Sequence, residues 1–553
     1  MIHMSQVKIP LEQILKEAPA ELVKKGQIGK EEEMLVKKKT AKLLKMPLSE
    51  IESFQIRKKS IDARKKEQIQ YIYRVSLTCS KEEKRVRQYG KNDARCVKEE
   101  KKQTVCFARP DSRKNLDRPR PVIAGFGPAG MFAALMLARA GYEPVVVERG
   151  MELQARQKAV DTFWQTGVLN PESNVQFGEG GAGTFSDGKL NTMVKDASGR
   201  NQYVLETFVE FGAPGEILYL QKPHIGTDCL KDVVKAIREE IISLGGTILF
   251  ETRLENVIAE NGRLTEVVLK QAGKTKKVPC DTLILATGHS ARDTFGQLKN
   301  AGLVLQPKPF AVGVRIEHPQ EMIGQNQYGA YYRNLPAADY KLTYQTEKKR
   351  GVYSFCMCPG GYVVNASSEE NRLAVNGMSY YKRDGKNANS AIVVTVSPED
   401  FGSQDVLAGL EFQRKLEQEA YRQGQGKIPV QLFGDYLENR VSTSLGDVMP
   451  AMKGNYTFGN VRKIFPKEIG DSLAEGIQAF EHKIKGYARK DAIVSGVESR
   501  TSSPIRIVRD ESLQANIHGI YPCGEGAGYA GGITSAAMDG IRVAEQIIKN
   551  RGI

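Results

Sequence analysis

The chain has 553 residues, too many for one hydrophobic core, so at roughly 100 to 200 residues per domain three or four units are expected. It is 41% hydrophobic and 26% charged, with no run of about 18 apolar residues; this excludes a disordered chain and a membrane-spanning helix. The net charge of +15 is concentrated in residues 1–120, which hold 31 Lys and Arg against 17 Asp and Glu, while the rest of the chain is nearly balanced.

Residues 1–110 read as a small, basic α+β domain. An apolar segment over 7–10 leads into two helix-like stretches, 11–25 and 31–44, and two strand-like runs follow at 51–56 and 71–77. The charged run 81–120 ends in Asp117-Arg118-Pro119-Arg120-Pro121 and is expected to be a hairpin or loop entering a linker. A basic module of this kind either recruits a polyanion such as RNA or presents a solvated lysine-rich surface. Near the N-terminus, Gln6 and Lys8 stand where a signal peptide needs an apolar core, so a cytoplasmic location is expected.

From Val122 the pattern becomes strand, glycine turn, helix, strand. Residues 119–305 and 505–553 read as two parts of one discontinuous, doubly wound dinucleotide-binding domain. Residues 306–504 read as an inserted α+β substrate domain, with strands at 311–316, 352–355, 362–365 and 391–396 and helices at 412–423 and 472–488.

The sharpest motif is Gly125-Phe-Gly127-Pro128-Ala129-Gly130, preceded by an apolar strand and followed by a helix of small residues. Gly125 permits the bend, Gly127 lets a pyrophosphate approach the backbone, and Gly130 packs helix on strand. The free N–H groups at the helix start favour phosphate. Glu148 ends the next strand, 18 residues after Gly130, where a carboxylate meets ribose hydroxyls. The same glycine spacing recurs at Gly178, Gly180 and Gly183 and at Gly526, Gly528 and Gly531 without the full strand, helix and acid context.

Three later segments distinguish the dinucleotide. Ala286-Thr287-Gly288, closing an apolar strand, resembles the return segment of glutathione-reductase-type flavoproteins. Gly524-Glu525 resembles the motif whose carboxylate binds the ribityl chain. Gly531-Gly532-Ile533-Thr534 resembles the turn opening a C-terminal helix toward the flavin ring, where the helix dipole stabilises the anionic reduced form. Arg149 and Arg156 resemble the element after the ribose acid, from which an arginine reaches the pyrophosphate. Gly180, Gly181, Thr184, Phe185 and Ser186 resemble the Gly-Gly segment of fumarate-reductase-like enzymes, and Leu254 matches an adenine contact.

Together with the segments around Lys222, Cys356 and Glu498, this order resembles a bacterial family of FAD-dependent dehydrogenases. The resemblance implies FAD and names no substrate. Noncovalent FAD is expected because no motif singles out a His or Cys as an attachment point, and with no second complete dinucleotide domain in the sequence NAD(P)H, if used as a donor, docks transiently or gives way to another donor.

Eight cysteines form no CxxC pair, which fits reduced thiols and no metal site. Cys356 and Cys358, in a Cys-Met-Cys-Pro-Gly-Gly loop, either line the substrate site or are buried thiols without redox work. His224 and His289 adjoin motif segments and are candidates for proton transfer or for structural hydrogen bonding. Arg315, Arg500 and Arg506 either bind an anionic substrate or form internal ion pairs. The reading is an FAD-dependent oxidoreductase of a small or medium-sized organic molecule. Its alternatives are a flavin-dependent RNA-modifying enzyme recruited through residues 1–110 and a flavin-bearing sensor without turnover.

Overall fold

The computed structural model describes residues 1–90, 96–98 and 118–551. They fall into two units, one from residues 1–90, 96–98, 195–225 and 320–339 and the other from 118–194, 226–319 and 340–551.

The first unit is built on an antiparallel sheet in which the strands Ile51–Asp62, Gln70–Cys79, Ile2–Pro10 and Cys96–Lys98 lie side by side in that order. Along Gln70–Cys79 the alternate residues Tyr71, Tyr73, Val75, Leu77 and Cys79 point into the core, as period-2 patterning requires. The helix expected over 11–25 is two, Leu11–Glu17 and Ala20–Lys25. Pro19 forces Ala18 out of the helical region, to φ −101° and ψ 150°, and so breaks the helix. Part of the expected 81–120 loop is the helix Glu82–Gly90; the remainder lies largely outside the described residues.

The strand read as 51–56 continues to Asp62 and carries a buried cation. Lys59 Nζ pairs with Glu32 at 2.7 Å, Tyr73 Oη donates to the same carboxylate at 2.7 Å, and the ammonium sits 4.4 Å from the centre of the Tyr71 ring. Burial pushes the Lys59 pKa down, and Glu32 opposes that shift.

The second unit contains the expected doubly wound α/β element. Its strands, ordered Ile520–Pro522, Leu283–Leu285, Val122–Ala124, Val145–Val147 and Thr247–Leu249, are all parallel. The central Val122–Ala124 is buried throughout, in keeping with a strand covered on both faces. The C-terminal helix Ile533–Arg551 lies along the helix Pro128–Arg139. Their approach depends on Gly540, where a Cβ would stand 2.2 Å from the Ala129 carbonyl oxygen.

A seven-stranded mixed sheet follows, with Gly351–Cys358, Asn387–Val396, Phe310–Pro319 and Ile493–Glu498 adjacent and antiparallel. Its helix expected at 472–488 is instead Lys467–Phe480, beginning directly after Pro466, whose fixed φ suits a helix start. The chain then turns, and Glu481 accepts the N–H groups of Gly486 and Ala488.

Candidate functional site

A cavity of about 350 Å³ opens at the C-terminal ends of the parallel strands, where doubly wound sheets bind their ligands. Gly125, at φ +103°, turns under the returning strand; a Cβ there would be 2.3 Å from the Ala286 carbonyl oxygen. At Gly130 a Cβ would be 2.0 Å from the Gly125 carbonyl oxygen, so this glycine is required by protein packing. Gly127 differs. Its added Cβ would meet only Gly181 Cα, at 3.7 Å, and its open side lines the cavity. Gly181, Gly288 and Gly532 line the same space, and a Cβ on either of the last two would meet nothing within 4 Å. These glycines form a cradle that side chains would fill. The N-termini of Pro128–Arg139 and Ile533–Arg551, through Pro128, Ala129 and Ile533, face it from two sides, presenting first-turn N–H groups, such as those of Ala129 and Ile533, and positive dipole ends.

Glu148 lines the cavity but is not held only for a ribose. Its Oε2 accepts the Phe126 N–H at 2.8 Å, and its Oε1 accepts those of Gly150 and Gly178, each at 2.9 Å. One carboxylate thus ties three loops together and retains limited acceptor capacity for a ligand. Arg149 and Leu254 stand nearby. Arg149 lies 4.1 Å over the Phe177 ring and pairs with Asp293 at 3.0 Å and Glu172 at 3.0 Å.

Arg156 is a correction. Expected at the pyrophosphate, it is fully buried and donates to the carbonyl oxygens of Asn174, Val175, Glu179 and Gly181 at 2.6 to 3.0 Å. It shapes the glycine-rich loop from behind. Burial pushes its pKa down to about 10, so it remains charged at neutral pH. Gly180 is a turn residue at φ +81°, against Thr184 Oγ1. Thr184 and Phe185 are likewise buried outside the lining, whereas Ser186 lines it. Gly524 donates its N–H to Asp539 at 2.8 Å, and Thr534 Oγ1 to the Leu190 carbonyl at 2.9 Å; neither lines the cavity.

The return segment Ala286, Thr287 and Gly288 leads to His289, whose Nδ1 lies 3.2 Å from Glu525 Oε1. Its Nε2 is buried and has no hydrogen-bond partner among the described residues. Both side chains line the cavity. His224 belongs to the first unit and is not in this lining.

The wall completing the cavity comes from the inserted segment and includes Phe355, Cys356, Asn376, Glu498, Arg500 and Thr501. Cys356 faces the space; Cys358 is buried behind it. Arg315, expected at a substrate, is instead wholly buried beneath them. Its Nε pairs with Glu498 at 2.7 Å, Nη1 donates to Asn389 at 2.8 Å and to the Cys356 carbonyl at 3.0 Å, and Nη2 donates to Asn376 at 3.0 Å. The Cys358 thiol's hydrogen bond holds the Cys356 thiol well below its ordinary pKa. Burial opposes this, while Arg315 and Lys189 reinforce it; the same bond pushes Cys358 up.

Arg500 lines the cavity with its guanidinium clamped on Glu417, 2.9 Å at both contacts, and donates to Ser368 and Ser290. Arg506 is exposed, stacked at 5.3 Å over Tyr529 and away from the lining. Sequence reasoning missed Asn376 and Lys189, which only strand pairing and loop packing bring here. Glu498 stood in a quoted motif, but its partner Arg315 lies 183 residues away.

Residues 119–310 match the pyridine nucleotide-disulphide oxidoreductase family, residues 309–501 match FAD-dependent protein, C-terminal domain-like sequences, and residues 1–78 match a domain of unknown function. Fold, cradle and matches together define an FAD-dependent oxidoreductase. The chain belongs to the family that joins these domains and shares 51% identity over 521 residues, 93% of its length and 96% of the other's, with an uncharacterized protein of Clostridium beijerinckii. Its cofactor is FAD.

Among solved structures it is similar to the glycerol-3-phosphate dehydrogenase from Bacillus halodurans complexed with FAD, at 11% identity over 79% of this chain and 65% of that one, TM-score 0.36. It is also similar to a geranylgeranyl bacteriochlorophyll reductase-like protein from Thermoplasma acidophilum, at 11% identity over 78% and 79%, TM-score 0.34. Among the described residues, no helix is long and apolar enough to cross a membrane.

Proposed function

We propose that the protein is a dehydrogenase or reductase that transfers a hydride or electrons between FAD and a small or medium-sized organic molecule. Gly127, Gly181, Glu148 and the start of the helix Pro128–Arg139 hold the ADP half, and the start of Ile533–Arg551 together with Gly288 and Glu525 holds the flavin half. When bound, FAD supplies the redox chemistry; the protein supplies orientation, charge and a proton. The observation that supports turnover is the wall of polar and sulfur-bearing side chains opposite the cradle, from Cys356 to Thr501, which goes beyond what cofactor retention alone requires.

His289 is the proposed proton-transfer residue. Glu525 orients its ring through Nδ1, and the side chain lines the cavity, where the imidazole can give a proton to or take one from a substrate. The test is anaerobic. Holoprotein is offered NADH, NADPH and quinols, then the reduced form is mixed with fractionated metabolites, and reoxidation without oxygen marks the substrate fraction. With that compound, His289→Gln is expected to retain FAD and slow turnover by about 100-fold or more. A flavin that no donor reduces, or that no fraction reoxidises once reduced, contradicts turnover; an unchanged rate in the variant removes His289 from proton transfer.

A further inference from the structure

Helices cover one face of the four-stranded sheet in the first unit: Leu35 and Val36 of the helix Lys30–Leu43 share a core with Val7, Tyr73 and Val75 of the strands. The opposite face carries Lys8, Ile72, Arg74 and Ser76, together with the outward residues of Ile51–Asp62. In a regular strand Arg57 and Lys58 would point to opposite faces. Here the pairing slips by one residue, with Ile56 opposite Val75 and Lys58 opposite Arg74. Ile56 and Lys59 therefore both face the core, and Arg57 and Lys58 both face outward. The strand Ile2–Pro10 slips at the same level, Met4 standing opposite Val75 and Val7 opposite Tyr73.

The two bulges gather cations on the outward face. Lys58 lies directly across from Arg74, Arg57 donates to Ser76 Oγ at 2.8 Å, and Lys8 stands across from Ile72. Lys8, Arg57 and Arg74 are exposed, and Lys58 is half-buried. Like charges set directly opposite one another destabilise a sheet. Burial lowers the Lys58 pKa, and Arg74 lowers it further. Among the described residues no carboxylate forms an ion pair with any of the four; Asp62, near Lys8 at the end of the face, is taken up by Arg64 at 2.6 Å.

We propose that this sheet face binds the phosphate backbone of a single-stranded nucleic acid without reading its bases. The proposal goes beyond the oxidoreductase reading and does not depend on it. The cations stand on three neighbouring strands, about 10 Å across at the usual strand spacing, which is more than one phosphate spans and suits a chain of them. A protein partner would need apolar or aromatic anchors. Tyr71 and Tyr73 point into the core instead, and around the cations stand Gln55, Ser60, Ser76 and the half-buried Ile72. Bases likewise meet no outward ring of these strands on which to stack, which leaves the phosphates as the contact. The surplus of positive charge in residues 1–120, 31 Lys and Arg against 17 Asp and Glu, accords with this.

The test measures binding of fluorescent oligouridylate and oligoadenylate, which should bind alike, to holoprotein between about 50 and 200 mM salt. Four phosphate contacts on a single strand predict a slope of about −3 in log Kobs against log salt, an affinity loss of about 50-fold over that range. The triple variant Arg57→Gln, Lys58→Gln, Arg74→Gln, checked for unchanged circular dichroism, is expected to leave a slope of about −1. The triple variant Lys38→Gln, Lys39→Gln, Lys42→Gln removes the same charge from exposed positions of the helix Lys30–Leu43 and should keep the wild-type slope. No binding by wild type at the lowest salt, or equal loss in the two triple variants, overturns the proposal. A strong preference for one base overturns it too, as does poly-glutamate that competes as well as the oligonucleotides, which would assign the face to an acidic protein.

Discussion

Replacing Gly127 with valine is expected to give a folded protein that has lost its flavin. The backbone at this position is extended, with φ −79° and ψ −176°, which valine adopts without strain. The protein itself leaves room, the nearest atom to an added Cβ being Gly181 Cα at 3.7 Å. The branched side chain must then occupy the cavity where a pyrophosphate approaches the helix N-terminus, separating phosphate from N–H donors. An affinity loss of at least about 100-fold, roughly 2.8 kcal/mol, is expected. The measurement is flavin occupancy of purified protein alongside its circular dichroism. Full occupancy in a folded variant would place the dinucleotide elsewhere.

The largest stability effect is expected at Glu417. This carboxylate, fully buried on the helix Ala408–Gly424, lies between Arg292, at 2.7 Å, and Arg500, at 2.9 Å, and accepts Ser499 Oγ at 2.6 Å. Glu417→Gln keeps the shape but leaves the buried Arg500 without its carboxylate and Arg292 with Glu369 alone, at 2.7 Å. Breaking a buried pair in this way costs about 3–5 kcal/mol. For a domain of this size that lowers the melting temperature by roughly 10 °C. Because Arg500 also lines the cavity, flavin loss should accompany the shift.

The pH dependence has a definite sign. Burial alone would raise the Glu417 pKa, but Arg292 and Arg500 outweigh it and hold the carboxyl well below the usual carboxylate range. A depressed folded pKa contributes stability that is present above the unfolded value of about 4.3 and lost as pH falls through the folded one. Calorimetry from pH 7 downward should show wild type losing its advantage over Glu417→Gln on the acid side. A constant difference down to the lowest pH at which both fold would contradict the assigned charge state.

The backbone around the cofactor was legible because its constraints are local. Gly125 and Gly130 are glycine because a Cβ would strike backbone oxygens, so their spacing carries the strand, turn and helix with it. The arginines were not legible. Arg156 stands beside a motif segment and reads as a pyrophosphate ligand, while Arg315 and Arg500 read equally as ligands or as internal partners. Glu498, the partner of Arg315, and Glu417, the partner of Arg500, lie 183 and 83 residues away in sequence. Burial of a charge follows from long-range pairing, which composition and periodicity do not record.

The bulge at Arg57 was hidden for the same reason, since a one-residue register shift exists only relative to the neighbouring strand. The break at Pro19, by contrast, was present in the sequence: a proline inside a helical pattern ends the helix before it. The buried Lys59 was obscured by the charge-rich run around it, where one lysine turns inward and its neighbours do not.

The most direct test of the account is the identity and attachment of the yellow chromophore. Acid precipitation of purified protein, followed by chromatography of the supernatant, should release FAD at about one per chain and leave a colourless pellet, because the cradle offers backbone donors and open glycine faces and no covalent anchor is assigned. Release of FMN, or colour that stays with the precipitated chain, would contradict it.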